Sequence, residues 1–223
     1  MTAIFQVPAA RAFWIAAFAF ALVGAAGMLG IDPLLARWTA TLPQGATIWD
    51  RGTGLLDLVA LKEVSNFLLG AILLLAGAIL LALRATRALG RVTLYLGLVQ
   101  FLTTTIADLA KPQLGRLRPD EAMAEPGALD TWFVGANSFP SGHAAFYAGL
   151  FFPLMLLLPR WTLLWALPPL FVALARLLSH DHYLSDVAAS LALAAAMTAA
   201  LAPLARRGPV APNIPADFAR PAP

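Results

Sequence analysis

Two stretches of this chain, Ala12 to Ile31 and Val64 to Leu83, each run for 20 residues without a charged side chain. A bilayer's hydrocarbon core, about 30 Å thick, takes about 20 apolar residues of helix to cross, so both runs read as membrane spans. Four more runs extend the pattern. Val92 to Ala110 is apolar apart from Asp108, Gly142 to Pro159 has His143 at its start, Trp161 to Leu178 carries Arg176, and Val187 to Ala205 is rich in alanine. In lipid only helices or closed barrels satisfy every backbone group, and continuous runs lack the period-two alternation of a barrel strand. The expected fold is all-α, a six-transmembrane helix bundle. The first run is too long for a typical signal-peptide core, so a retained helix is expected there. The small side chains of the last run suit close packing against a neighbouring helix.

Composition narrows the function classes. Only 12% of the residues are charged, against roughly 25% in a soluble domain. With 15 basic and 12 acidic residues, the excess is too small to argue for nucleic acid. The chain has no cysteine, which excludes disulfides, cysteine-ligated metal clusters and thiol nucleophiles.

Orientation rests on Lys and Arg in alternate loops. With a cytoplasmic N-terminus the division is eight inside and seven outside, which decides nothing. Three of the outside cations, Lys111, Arg118 and Arg176, belong to the constellation below; without them both termini are placed in the cytoplasm. Two outside loops are long. Residues 32 to 63 hold Trp38, Trp49, Leu55, Leu56, Val59 and Leu61, which suits either a short interfacial helix or a loop anchored by aromatics. Residues 111 to 140, with Pro112, Pro119, Pro126 and Pro140, read as irregular. The domain organisation expected is one membrane unit over 1–205 and a disordered, proline-rich tail over 206–223.

The chemistry-bearing residues fall in three groups: Lys111 with Arg118-Pro119, then Pro140-Ser141-Gly142-His143, then Arg176, His182 and Asp186. In the six-helix layout the first ends helix three, the second opens helix four, and the third spans the junction of helices five and six. All three therefore reach one membrane face. Lys111, Arg118 and Arg176 bring three positive charges to one pocket, and arginine's fork matches phosphate oxygens. Ser141 and Gly142 sit at a helix start, where free N–H groups and the helix dipole favour an anion. His182 and Asp186 are four apart, on one helical face, where a carboxylate can hold an imidazole's tautomer. Taken singly, these groups read as interfacial charges, a helix cap and a local pair. Ten specified positions in order on one face are poorly explained by coincidence. Asp108, three residues before Lys111, either pairs with it or is an ordinary interfacial residue. A metal site at His180, Asp181 and His182 is set aside because no further ligand set is evident.

The three groups resemble the signature motifs of the type 2 phosphatidic acid phosphatase superfamily, integral-membrane lipid phosphatases related to vanadium haloperoxidases. The matching stretches are KPQLGRLRP from Lys111, PSGH from Pro140, and ARLLSHDHYLSD from Ala175. The third motif usually begins Ser-Arg, and Ala175 stands at the serine position. The resemblance implies that His182 is a nucleophile forming a phosphohistidine, oriented by Asp186, with His143 as general acid and then base. It implies that Lys111, Arg118, Ser141, Gly142 and Arg176 bind phosphate oxygens, with no metal and no other cofactor. The partners implied are a lipid phosphate substrate and membrane lipids, in a bacterial inner membrane with the active site facing the periplasm. The chain's small size resembles members that recycle the undecaprenyl carrier, so undecaprenyl pyrophosphate ranks first. Phosphatidylglycerol phosphate, phosphatidic acid and lipid A phosphate are the other candidates. The motifs also fit a lipid phosphotransferase. A non-catalytic lipid-binding protein would leave both histidines and Asp186 without a purpose, and a transporter would place its polar groups nearer the midplane.

Overall fold

The computed structural model of the chain describes residues 8–42, 48–124 and 127–206, and these contain helices and no strand. In order they are α1 (Pro8–Ala26), α2 (Asp32–Thr39), α3 (Ile48–Val59), α4 (Leu68–Ala82), α5 (Arg87–Leu114), α6 (Pro119–Met123), α7 (Gly142–Leu157), α8 (Thr162–Leu178) and α9 (Leu184–Arg206).

Four helical segments are long and apolar enough to cross a bilayer: Ala10–Thr39, Arg84–Met123, Pro159–Leu178 and Leu184–Ala205. Helices α4 and α7 are apolar but have 15 and 16 residues, or about 23 Å at 1.5 Å each. The expected runs are longer than these helices for local reasons. Val64 to Phe67 folds as turns, and Leu158 leaves helical geometry before Pro159. Apolarity thus marks what sits in lipid or core, and it does not mark where a helix begins.

The first span differs from expectation in the opposite sense. A loop is expected from residue 32, yet the helix continues to Thr39 through a π-helical turn, Gly27–Ile31. Gly30 takes φ 143°, which kinks the helix without ending it. Asp32 is thereby turned into the protein and buried. Room for it comes from Gly27, where a Cβ would lie 2.7 Å from Asp32 Oδ1. Within 32–63, where either a short helix or an anchored loop is expected, the chain forms the helix α3.

Helix α9 packs along α1, α5 and α7, α7 also touches α5 and α8, and α4 lies on α5. Small residues set these distances, as membrane interfaces require. Ala194, Ala195, Ala199 and Ala202 of α9 are buried. On α5, a Cβ at Gly90 would come 2.6 Å from Leu81 N and one at Gly97 2.9 Å from Leu74 N. Leu22, Leu29, Leu75, Leu163 and Leu167 point outward, an apolar exterior suited to lipid. The proline-rich segment beyond Arg206 lies outside the described residues, so the expected disordered tail does too.

Candidate active site

The starts of α7 and α9 and the end of α5 meet at one end of the bundle. Ser141 caps α7, its Oγ accepting from Ala144 N at 3.4 Å, while its own N–H donates to Asp186 O at 3.2 Å. Ser190 Oγ, on α9, lies 2.8 Å from Ser141 O and 3.0 Å from Asp186 O, and so pins the two helix starts together. Lys111, in the last turn of α5, donates from Nζ to Asn137 O at 2.9 Å. A Cβ on Gly142 would lie 3.5 Å from Lys111 Cε and 3.8 Å from its Nζ, ordinary contact distances that place the lysine against the α7 start. Gly115 then ends α5 at φ 54°, where a Cβ would meet Gly135 N at 2.8 Å.

Beyond that turn the chain delivers two arginines to different places. Arg118 Nη1 is 3.4 Å from Asp181 Oδ1, and Arg176 Nη2 is 2.5 Å from Asp181 Oδ2. Two of the three expected phosphate-binding cations therefore converge on one carboxylate. Asp181 is immediately before His182, so this anion-holding cradle adjoins the expected nucleophile.

Arg116 goes inward. Its side chain is fully buried between the rings of Trp132 and Tyr183, with Cζ 4.5 Å and 3.9 Å from their centroids. Nη2 donates to Asp32 at 2.6 Å and Asp130 at 2.5 Å, and Nη1 donates to Ser185 Oγ at 2.6 Å and to Asp186 Oδ1. Asp186 is held at its other oxygen by Ser138 Oγ at 2.6 Å and Tyr183 N at 2.8 Å. His182 Nδ1 faces that same oxygen at 3.4 Å, in ion-pair range but with no hydrogen bond. Catalytic hydrogen bonds are often loose in a free site and tighten on substrate. Burial pushes the His182 pKa down to about 4, against the upward pull of Asp186, which leaves the ring neutral with a lone pair available.

His143, in the first turn of α7, has a partner that the sequence does not indicate. Its Nε2 is 2.9 Å from Asp57 Oδ2, and Tyr147 Oη donates to Asp57 Oδ1 at 2.7 Å. Asp57 comes from α3, which carries Trp49 against the Phe171 ring, 5.4 Å between centroids. Asp108 accepts from Asn66 Nδ2 at 3.2 Å, rather than from Lys111. His180 is buried at φ 57° beside the cradle. Among the described residues no group of three His, Asp or Glu side chains is arranged to hold a metal ion.

All eight expected site residues thus lie at one end of the bundle. Sequence reasoning missed Asp57, Arg116, Asp32 and Ser190. Only Ser190 had a local signal, one helical turn after Asp186.

Comparison with known proteins bears on this geometry. Residues 88–207 match the model of the PAP2 superfamily. The lipid A 1-phosphatase of Rhizobium etli is 32% identical over 124 residues, 52% of this chain and 53% of that protein. The lipid A 1-phosphatase of Rhizobium johnstonii is 31% identical over 127 residues, 54% and 52% of the two chains. The matches thus span about half the length of these curated relatives. A crystal structure of a transmembrane PAP2-type phosphatidylglycerolphosphate phosphatase from Bacillus subtilis superposes with a TM-score of 0.54, covering 85% of this chain and 94% of that one. At 22% identity that likeness concerns the fold alone.

Proposed function

The chain belongs to the PAP2 superfamily, and from that premise we propose that it is an integral-membrane lipid phosphatase working through a phosphohistidine at His182. The observation that carries this reading is the convergence of Arg118 and Arg176 on a single carboxylate beside a buried, neutral histidine. A tetrahedral phosphate in the place of Asp181's carboxylate meets the same two forks.

In the proposed cycle His182 Nε2 attacks phosphorus, because Nδ1 is the nitrogen that faces Asp186. The phosphorus–oxygen bond to the lipid breaks as His143 gives its proton to the departing oxygen. His143, now neutral, takes a proton from water; the water oxygen attacks phosphorus, the nitrogen–phosphorus bond breaks and inorganic phosphate leaves. Lys111, Arg118, Arg176 and the N–H groups around Ser141 and Gly142 stabilise charge on the equatorial oxygens. Helices α4 and α7 complete six crossings in this reading, and the site faces the periplasm from a bacterial inner membrane.

The sequence-matched relatives are named for lipid A 1-phosphate, which moves that substrate to the front of the candidates. Undecaprenyl pyrophosphate draws no support from them. The test is phosphate release by detergent-purified protein, with and without chelator, from lipid A 1-phosphate, phosphatidylglycerol phosphate, phosphatidic acid and undecaprenyl pyrophosphate, with His182→Ala as control. Chelator-resistant release by the wild type alone supports the reading. Folded wild type that cleaves none of the four overturns hydrolysis and favours transfer to an acceptor.

A further inference from the structure

We propose that Asp57 is a positioning residue for the proton-transfer histidine: its carboxylate holds His143 Nε2 as a permanent donor and leaves Nδ1 as the nitrogen that gives and takes the catalytic proton. This rests on the phosphatase reading above and adds to it a residue from outside the three motifs.

The geometry requires the assignment of nitrogens. Oδ2 of Asp57 is 2.9 Å from Nε2, and a carboxylate only accepts, so the ring donates there. Burial opposes ionisation of Asp57, but the hydrogen bonds from His143 and Tyr147, with Lys62 nearby, outweigh it and hold the carboxyl below its ordinary range. The imidazole is thus fixed as the Nε2–H tautomer when neutral, and any added proton goes to Nδ1.

Charge balance gives the carboxylate a second task. A general acid must carry a proton when the lipid oxygen leaves, yet His143 sits among cations gathered for phosphate. Lys62 and Arg176 both act on it electrostatically, and Lys111 lies against the adjoining helix start. Asp57 is the carboxylate in hydrogen-bond contact with the ring, so it offsets the repulsion that an imidazolium meets in this pocket. Asp181 and Asp108 are directed elsewhere, to the two arginines and to Asn66.

The fold holds Asp57 firmly. Tyr147, one turn after His143 on α7, donates to its second oxygen at 2.7 Å. Leu56 and Ala60 on either side pack against the buried cluster of Phe146, Tyr147 and Val172. At the other end of α3, Ser179 Oγ donates to Asp50 Oδ1 at 2.9 Å, tying the helix to the loop that leads into His182.

The experiment compares kcat/KM of the full-length, detergent-purified protein on two substrates with matched tails: phosphatidic acid, whose alkoxide needs protonation, and a nitrophenyl phosphate carrying a lipid chain, whose phenolate does not. The ratio kcat/KM reports phosphoenzyme formation, where the leaving group departs. Asp57→Asn is expected to lower the alkyl value by about 30- to 100-fold, up to the lower end of the range for general acid catalysis, and the aryl value by less than about threefold. Asp57→Glu should recover part of the alkyl rate. Tyr147→Phe keeps the core filled and the charge in place, and should shift the same ratio in the same direction by about threefold. It carries the test if Asp57→Asn does not fold. Equal losses on both substrates, or none, overturn the inference while wild-type turnover keeps the phosphatase reading. Folded wild type that cleaves neither of these substrates nor any lipid of the panel above overturns the two together.

Discussion

Arg176 Nη2 lies 2.5 Å from Asp181 Oδ2, so a cation expected to bind substrate phosphate is closed on the chain's own carboxylate. Arg118 reaches the other oxygen of that carboxylate at 3.4 Å. Asp181 therefore occupies both forks, and under the proposed function an incoming phosphate has to displace it. Burial, with Asp120 and Asp50 adding to it, pushes the Asp181 pKa up despite both arginines. A carboxylate so placed is a weakly held internal competitor.

Asp181→Asn tests this. The amide keeps the shape and removes the charge, so inhibition by orthovanadate should become tighter by about fivefold, the factor carried by an ion pair of about 1 kcal/mol. An inhibition titration of lipid hydrolysis reads it. Weaker inhibition would mean that Asp181 serves to hold Arg176 in place and competes with nothing.

The second prediction concerns His182. Its pKa is lowered to about 4, chiefly by burial, so nitrogen-resolved NMR of ligand-free protein should show it neutral at pH 7 with a midpoint near 4. The unfolded chain binds the same proton near 6.5. Between those two values the unfolded state carries more protons, and the fold loses stability as pH falls through the window. Thermal unfolding in detergent should therefore drop from pH 7 to pH 5, and His182→Gln should flatten the drop. A midpoint close to 6.5 would show the ring to be solvated.

The contrast between what the sequence carries and what it lacks follows from spacing. Lys111 and Arg118, the Pro140 to His143 stretch, and the Arg176, His182 and Asp186 set each occupy a few consecutive turns, so local order alone brings their members to one helix end. Asp57 and Asp32 are different. Each is far in sequence from its partner, His143 or Arg116, and reaches it only through tertiary packing. Asp32 also depends on a helix that passes a glycine at φ 143° without stopping, which no hydropathy pattern signals. Arg116 has the reverse disguise. Between Lys111 and Arg118 it reads as one more interfacial charge, and its burial depends on the Gly115 turn and on three acids from separate segments.

Arg116 should accordingly matter to folding before it matters to chemistry. Removing one partner of a buried ion pair costs about 3–5 kcal/mol because the remaining charge is stranded. Here three carboxylates share the cation, so Arg116→Ala should fail to give a monodisperse protein in detergent, whereas Arg118→Ala should purify normally and lose affinity for vanadate. Arg118 is one-third exposed and its only ion pair among the described residues is the 3.4 Å contact with Asp181. Size exclusion and thermal unfolding separate the two variants. A stable, active Arg116→Ala would remove the buried network from the account of how Asp186 is held.

Ala175 stands at the position where the resembled motif has serine, and it is buried in α8 one residue before Arg176. A hydroxyl added there has a partner within its own helix, since a serine can donate to the carbonyl four residues earlier, that of Phe171. The added oxygen is therefore satisfied whether or not a phosphate is bound, and Ala175→Ser should fold normally. Arg176 already reaches the anion cradle through Nη2, so one more donor beside it adds at most a neutral hydrogen bond of about 1 kcal/mol. The expected result is unchanged to mildly raised activity, up to about fivefold in kcat/KM for the preferred lipid phosphate. Steady-state hydrolysis by the purified variant checks it, and inactivation with an intact fold would show that the start of the third motif has been misplaced on this chain.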